Sequence, residues 1–290
     1  RKLAAGILKR IPHAPLLIMK LADDARVSKN LDEAIKLYGE LVAFPLQEKY
    51  LQQLWADDPV QRILPSVRLD EVWKEKHGNL EGIKDYLRKL YDEDMYDFVE
   101  SRVEDRPEGG NRNVLFEFFT GTRSNPCIAT DVALSGIEKT YPQSMVVALR
   151  YHMHIPGHDP LTNEENEARF HNFYRANATP QVVVNGRAVP DAGGSVPMAT
   201  ALYGSFKAIT NEVLAHKTDV AIDLKVTQQD GAVQVNATVK EADPENKELK
   251  LRVVLAESNI EFDAANGLRH HNMVVRKMLG GDRGTARDGD

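Results

Sequence analysis

The sequence predicts a multi-domain fold with an α-helical N-terminal region, a central α/β domain and a C-terminal antiparallel β-sandwich-like domain. Three changes of hydrophobic pattern along the 290 residues support this prediction. Apolar residues recur at helical spacing over residues 1–106, strand-like and helix-like segments alternate over 112–216, and apolar and polar residues alternate over 218–290. A chain of this length has room for two or three domains.

The N-terminal region is predicted to be a small helical domain or a scaffold for contact with a partner. Residues 31–43 place apolar side chains near one face of a helix, and Asn30 precedes them as a capping residue. Those side chains are Leu31, Ile35, Leu37, Leu41 and Val42. Further helices are predicted at 46–55, 69–76 and 80–103. The stretch 105–113 is rich in Gly, Pro and charge, which is typical of a linker.

The central domain is predicted to run strand, helix, strand, helix, hairpin, helix. Pro126 suits the first turn of the first helix, where its missing N–H costs nothing, and Asn185-Gly186 supplies the turn of the hairpin. The predicted elements are 114–120, 126–139, 144–155, 161–177, 180–189 and 197–216.

The C-terminal region is predicted to contain antiparallel strands of a β-sandwich. Turns at Asp230-Gly231 and around Pro244 separate the strands, which are predicted at 220–228, 232–241 and 249–257. About four strands are recognisable before a polar tail, so we expect a sandwich that is small or incomplete.

Composition and charge exclude several classes of protein. The formal net charge is −6, whereas a nucleic-acid-binding protein normally shows a basic face. No run of 18 or more apolar residues is present, so no transmembrane segment is predicted. Lys9, Arg10 and Pro12 interrupt the apolar start, which makes it a poor signal peptide. The chain reads as a processed or truncated product, and an earlier signal or anchor would permit membrane association.

The segment GTRSNPC, residues 121–127, carries the strongest chemical signal. It joins a predicted strand to a predicted helix, so Cys127 faces the positive end of the helix dipole and free backbone N–H groups. Both favour thiolate over thiol, and we expect a lowered pKa and raised reactivity. Cys127 is the one cysteine in the chain, which excludes an internal disulfide and a multi-cysteine zinc site.

Several motifs resemble those of a thioredoxin-like family of bacterial extracytoplasmic proteins. These motifs are LFEFFTGTRSNPC, YHMHIPGHDPLTNEENEARF, ATPQVVVNG and NGLRHHNMVVRKMLGG. The family is related to outer-membrane-associated lipoproteins that pair a thioredoxin-like domain with a C-terminal β-sandwich. The resemblance covers roughly 112–281 and leaves 1–106 uncovered. It implies a thioredoxin-like domain at 112–216 and a periplasmic or envelope-associated location. We also expect a protein partner or larger assembly, and no cofactor.

The resemblance also assigns roles to residues of the loop. Ser124 aligns with the first cysteine of the family's Cys-x-x-Cys site and Cys127 with the second, while Thr179-Pro180 aligns with the cis-proline beside such sites. The first cysteine attacks a substrate disulfide and the second resolves it. A hydroxyl cannot form a disulfide and is a weak nucleophile without a base, so the two-thiol cycle is unavailable within one chain.

Two functions therefore remain open. The leading hypothesis is a protein-binding or structural module that has lost dithiol–disulfide exchange, with Cys127 as a small, half-buried apolar filler. The alternative is a single-thiol oxidoreductase or peroxidase that uses Cys127 with an external thiol. Ser124-x-x-Cys127 matches the short Ser/Thr-x-x-Cys pattern of peroxiredoxins, although Thr120 stands where those enzymes need a proline.

The histidines offer a third hypothesis, metal binding. Alternation along a strand would put His152 and His154 on one face, where His171 and Asp159 would complete a site. The resemblance includes this stretch without implying a metal, so we favour a role in ordering a loop or lining the site. His270-His271 is predicted to be a pair at a strand edge.

Overall fold

The computed structural model describes residues 14–56, 62–102, 105–243, 245–246 and 248–286. The residues that interrupt the apolar start, at 9, 10 and 12, and the predicted turn at Pro244 lie outside these ranges. Within them the chain forms eight α-helices, a mixed six-stranded sheet and three two-stranded sheets. None of the helices described there combines the length and the apolar character needed to span a membrane.

Five helices make up the N-terminal region. They are α1 Pro15–Val27, α2 Leu31–Ala43, α3 Gln47–Leu54, α4 Pro65–His77 and α5 Ile83–Asp94. The Asn30 side chain accepts a hydrogen bond from the Glu33 N–H at the start of α2, as its capping role predicts. Ile35, Leu37 and Leu41 are buried in the core of the region, which confirms the predicted apolar face of α2.

The helical region shares an apolar cluster with the rest of the protein. Phe44 after α2 and Tyr91 of α5 pack with Ile128 and Val132, which follow the GTRSNPC loop, and with Leu268 near the C-terminus. Burial of large apolar side chains contributes about 1.5–3 kcal/mol each. The helices therefore pack against the elements that position the loop.

The remaining helices and the strands follow in chain order. The helices are α6 Ile128–Thr140, α7 Glu164–Ala168 and α8 Ala199–Leu214. The strands are β1 Val114–Thr120, β2 Val146–His152, β3 Gln181–Val184, β4 Arg187–Val189, β5 Ala221–Gln229, β6 Ala232–Lys240, β7 Lys250–Leu251, β8 Val253–Glu257, β9 Ile260–Glu261, β10 His270–His271, β11 Val274–Leu279 and β12 Thr285–Ala286.

The six-stranded sheet has the order β4-β3-β1-β2-β11-β8. Strands β1, β2 and β11 are parallel, whereas β3, β4 and β8 run antiparallel to their neighbours. Phe116 and Phe118 of β1 pack under α6 and α8, and Phe119 belongs to the cluster on the other face. Both faces of the central strand are therefore covered, as is usual for parallel strands.

The predicted hairpin at 180–189 forms as β3 and β4. Asn185 and Gly186 take positive φ angles of 45° and 84°, the left-handed conformation that a two-residue hairpin turn requires. The predicted helix 161–177 is shorter than expected. It reduces to α7 and a π-helical turn, Arg169–Phe173, because Asn163 caps it while the Thr162 hydroxyl bonds to the His152 carbonyl.

The C-terminal β-sandwich-like domain predicted for 218–290 is not formed by the described residues. Strands β8 and β11 instead join the central sheet, and β5 and β6 form a hairpin of their own. Val274 and Val275 of β11 are both fully buried, so consecutive residues face apolar surroundings. Such a strand fits inside a sheet covered on both faces, whereas a sandwich strand needs one polar face.

Candidate functional site

The loop between β1 and α6 brings Ser124 and Cys127 together. After β1 ends at Thr120, the Ser124 N–H bonds to the Gly121 carbonyl at 2.9 Å, and a 3₁₀ turn covers Asn125–Cys127. A Cβ on Gly121 would lie 2.4 Å from the Ile155 carbonyl oxygen, so this close backbone approach requires glycine. The turn places Cys127 immediately before α6.

The sulfur of Cys127 is enclosed by hydroxyl groups. Cys127 is fully buried, Ser124 is only 4% exposed, and the two side chains are joined by a hydrogen bond with an Sγ–Oγ distance of 3.0 Å. The Thr179 hydroxyl donates to Ser124 Oγ at 3.2 Å. The thiol is therefore the innermost member of a short chain of polar side chains.

Burial raises the pKa of the Cys127 thiol, which is the opposite of the expected shift. A thiolate would accept hydrogen bonds from the hydroxyls of Ser124, Thr120 and Thr179, and these oppose the rise without cancelling it. The expectation overlooked burial: a helix N-terminus lowers a thiol pKa most where water also reaches the sulfur. Here the cost of removing the anion from water is larger.

Thr179-Pro180 lies beside the loop, and its peptide bond is cis. A Cβ on Gly193 would lie 2.8 Å from Pro180 Cγ, so the segment before α8 passes directly over the proline. The Gly194 N–H donates to the Pro126 carbonyl at 2.7 Å. The outer surface of the site therefore consists of exposed Pro126, the partly buried residues 179, 180, 193 and 194, and exposed Met198.

Asp159 holds the inner side of the loop. Its Oδ2 accepts from the Thr122 N–H at 2.6 Å and contacts His152 Nδ1 at 3.0 Å, while its Oδ1 accepts from the Leu161 N–H at 2.8 Å. Burial alone would raise the pKa of Asp159, but these hydrogen bonds outweigh it and lower the pKa. A fixed carboxylate thus orders the loop, which is the role that the sequence favoured for His152.

The histidines do not assemble as a metal site would require. Strand β2 ends at His152, so alternation does not reach His154: His152 is buried and His154 is exposed. His154 Nδ1 accepts from the Asp159 N–H at 3.0 Å, which leaves the proton of the neutral ring on Nε2. His171 lines the same surface pocket as His154 and contacts Glu167 with an Nε2–Oε2 distance of 3.1 Å, while the other oxygen of that carboxylate accepts from the His154 backbone N–H. Across the described part of the chain, no group of three or more His, Cys, Asp or Glu residues could hold a metal ion.

Asn266 is a site residue that the sequence analysis missed. Its Nδ2 donates to the carbonyls of Gly121 and Ser124, both at 3.3 Å, and its backbone N–H donates to the Thr122 carbonyl at 3.0 Å. The segment 266–281 was recognised only as part of a sandwich. Its closeness to Cys127 becomes visible when β11 pairs with β2.

Arg150 is a second residue that was not predicted from the sequence, and its side chain links β2 to α6 through ion pairs. The side chain is fully buried, with Nε 2.9 Å from Asp131 Oδ1 and Nη1 and Nη2 at 3.0 and 3.1 Å from the carboxylate oxygens of Glu138. Burial opposes the charge on Arg150, but Glu138 and Asp131 outweigh it and raise its pKa. An arginine in a β-strand carries no sequence signal for such a role.

The fold and the loop define an α/β protein with a mixed sheet and a buried single-cysteine Ser-x-x-Cys loop at the end of its first strand. No family model matches the chain. A search of curated proteins also finds no match. Among solved structures, HBP35 of Porphyromonas gingivalis is similar, with 18% sequence identity and a TM-score of 0.43. The similarity covers 61% of this chain and 60% of that chain, which is less than two thirds of its length.

Proposed function

We propose that residues 112–216 form a thioredoxin-like domain that has lost dithiol–disulfide exchange and acts as a protein-binding or structural module. The observation that carries the proposal is Ser124, an alcohol where the attacking sulfur would be, hydrogen-bonded to the one thiol of the chain. A strand, a loop with the Ser-x-x-Cys pair, a helix and a neighbouring cis-proline agree with such a domain.

The chemistry of Cys127 supports the loss of activity. A thiol of ordinary pKa, about 8.5, is already mostly protonated at neutral pH, and burial raises the pKa of Cys127. Thiol–disulfide exchange needs a thiolate that can reach the substrate sulfur in line. Cys127 has no solvent exposure, so neither requirement is met in the described conformation.

The surface beside Pro180 supports the binding role. The backbone N–H and C=O of Thr179 have no hydrogen-bond partner among the residues that the structure describes. An extended peptide lying there would pair with them, as in recognition by strand addition. Pro126 and Met198 add exposed apolar surface next to Gly193 and Gly194, which lie over Pro180. An extracytoplasmic location and membership of a larger assembly remain part of this proposal.

Replacing Ser124 with Cys tests the proposal directly. We expect the wild-type protein to leave insulin disulfides intact in the presence of dithiothreitol. Ser124→Cys should reduce them, because Cys127 Sγ already lies 3.0 Å from the Oγ atom that the new sulfur would replace. Ser144→Cys is the matched control, since it adds an exposed thiol away from Cys127.

Either of two other results of the insulin assay would contradict the proposal. Reduction of insulin by the wild-type protein would overturn the loss of exchange activity. Failure of Ser124→Cys would contradict the thioredoxin-like interpretation of the loop, provided that the variant keeps its circular dichroism and its new thiol reacts with a thiol reagent in native buffer.

The alternative of a single-thiol peroxidase or oxidoreductase rests on the hydroxyls of Ser124, Thr120 and Thr179, whose hydrogen bonds favour a thiolate. The rate at which hydrogen peroxide oxidises Cys127 in the native protein distinguishes the enzyme from the binding module. Thiol titration measures this rate from pH 6 to 9. A Cys127 that reacts only after denaturation excludes the enzyme. Rapid oxidation of Cys127, with a rate that rises around neutral pH, supports the enzyme when added external thiol also reduces Cys127 again and sustains peroxide consumption.

A further inference from the structure

The β5–β6 hairpin separates apolar and polar side chains onto its two faces. In its register Ile222 lies opposite Val239, Leu224 opposite Ala237 and Val226 opposite Val235. Because side chains alternate along a strand, all six lie on one face. The other face pairs Asp223 with Thr238, Lys225 with Asn236 and Thr227 with Gln234. One face thus suits water, and the other carries aliphatic side chains at these three pairs, with Gln228 opposite Val233 at its turn end.

The apolar face is open to solvent. Ile222, Leu224 and Val226 are 60%, 58% and 56% exposed. No other described helix or strand packs extensively against β5 or β6, which pair with each other alone. An isolated two-stranded hairpin is marginally stable in water, and a contiguous apolar patch of several hundred Å² is typical of an interaction surface.

We propose that this face is a homodimer interface, on which the same face of a second copy of the chain packs to form a four-stranded sandwich. The hairpins would stack about 10 Å apart, the usual spacing of packed sheets. The alternation at 220–241 that predicted a sandwich would then be satisfied between two chains.

Charge favours a second copy as the occupant. Residues 221–240 contain two aspartates and two lysines, so the hairpin has no formal net charge although the chain carries −6. No charged residue lies on the apolar face itself. An identical hairpin would therefore approach without repulsion and bury no unpaired charge.

The area of the apolar face also favours a second copy as the occupant. The exposed side chains of the face, with Val233 and Val239 included, offer roughly 500 Å² per copy, or about 1,000 Å² for the pair when all of it is covered, which is the approximate minimum for a biological interface. A face-to-face contact is isologous, so it closes as a dimer and leaves no apolar face to recruit a third copy.

Sedimentation of the full chain tests the interface between about 1 and 100 μM, a range typical of modest interfaces. We expect a concentration-dependent dimer for the wild-type protein and a monomer for Leu224→Lys, which puts a charge at the centre of the face. Thr227→Lys is the matched control: it adds the same charge to the polar face and should remain dimeric.

A second measurement locates the contact. Leu224→Cys should be cross-linked to a second copy by a short bifunctional thiol reagent, because sheets stacked about 10 Å apart hold the two sulfurs beyond the reach of a direct disulfide. Thr227→Cys on the polar face should not be cross-linked, and native Cys127 is buried and does not interfere. A wild-type monomer throughout the range would overturn the proposal, whether the cause is a bare face or one covered by a segment of the same chain. Dimers that persist in a folded Leu224→Lys variant would place the contact elsewhere, for example at the strand edges, and would also overturn it.

Discussion

The loop 121–127 and the β5–β6 hairpin are held in opposite ways. Four separate segments fix the loop: Asp159 after β2, Thr179 before β3, Gly194 before α8 and Asn266 near the C-terminus. The hairpin is held by its own two strands. Alternation of apolar and polar residues therefore sets the local conformation of a segment, whereas contacts distant in sequence determine whether that segment is enclosed or exposed. Substitutions that disturb one region and not the other test this difference.

The largest expected effect comes from Arg150, which ties β2 to the helix that follows the loop. Arg150→Met should destabilise the protein by about 3–5 kcal/mol, because the buried carboxylates of Asp131 and Glu138 lose their counter-charge. Urea denaturation followed by circular dichroism measures the change. Arg276→Met is the control, since its ion pair with Glu257 is partly exposed and should cost under about 1 kcal/mol. Equal losses would contradict the special role of Arg150.

A smaller loss of stability is expected on replacing Asn266, and the reactivity of Cys127 should change with it. Asn266→Ala removes the hydrogen bonds to the carbonyls of Gly121 and Ser124 and should cost about 2–3 kcal/mol. Because the loop loses a support, Cys127 should also react faster with a thiol reagent in native buffer. Asn246→Ala, which removes an exposed turn contact, should alter neither quantity. An unchanged thiol rate in Asn266→Ala would show that the other three supports are sufficient.

How much of this arrangement was predictable follows from the range of the interactions. Asn30, Pro126 and Asn185-Gly186 act within a few residues, so their cap, helix start and turn could be located from the sequence. The pairing of Val274 in β11 with Arg150 in β2 joins residues far apart in the chain, and an apolar run does not name its partner strand. The sandwich prediction failed there, and Asn266 was missed for the same reason.

The direction of the pKa shift of Cys127 could not be predicted from the sequence pattern either. A helix start and a nearby hydroxyl are visible in the sequence and both favour thiolate. The opposing cost of burial depends on side chains from distant segments, such as Val182 and Ala192, that belong to the same apolar cluster as Cys127. The magnitude of such a cost is a property of the assembled fold.

Acidification should loosen the C-terminal segment through His271. Burial is the main cause of the lowered pKa of His271. The positive charges of Arg150 and protonated His152 lower it further, while Asp131 and the Phe262 carbonyl oppose the shift. The unfolded state therefore binds a proton first, so stability is full above the ordinary histidine pKa of about 6.5 and is lost as the pH falls below it. Unfolding free energies at pH 8 and pH 5.5 measure this loss.

His271→Gln is the informative variant for that measurement. It removes the titrating ring, so the loss of stability between pH 8 and pH 5.5 should become smaller than in the wild-type protein. His216→Gln is the control, because that imidazole is exposed. A loss of the same size in His271→Gln would assign the acid sensitivity to other groups. Asp159, whose pKa is lowered, adds a loss only near and below its ordinary value of about 4.

The smallest loss of stability is expected in the hairpin. The same substitution, Val to Ala, compares it with the buried strand β11. Val275→Ala in β11 opens space in a fully buried cluster with Phe119 and should cost about 2 kcal/mol at any protein concentration. Val226→Ala should cost under about 0.5 kcal/mol in dilute protein, where its side chain faces water, and more at high concentration if the face pairs. Thermal unfolding at two concentrations checks both variants. A concentration-independent loss at Val226 as large as that at Val275 would mean that the chain covers its own hairpin, and the contrast between the two regions would disappear.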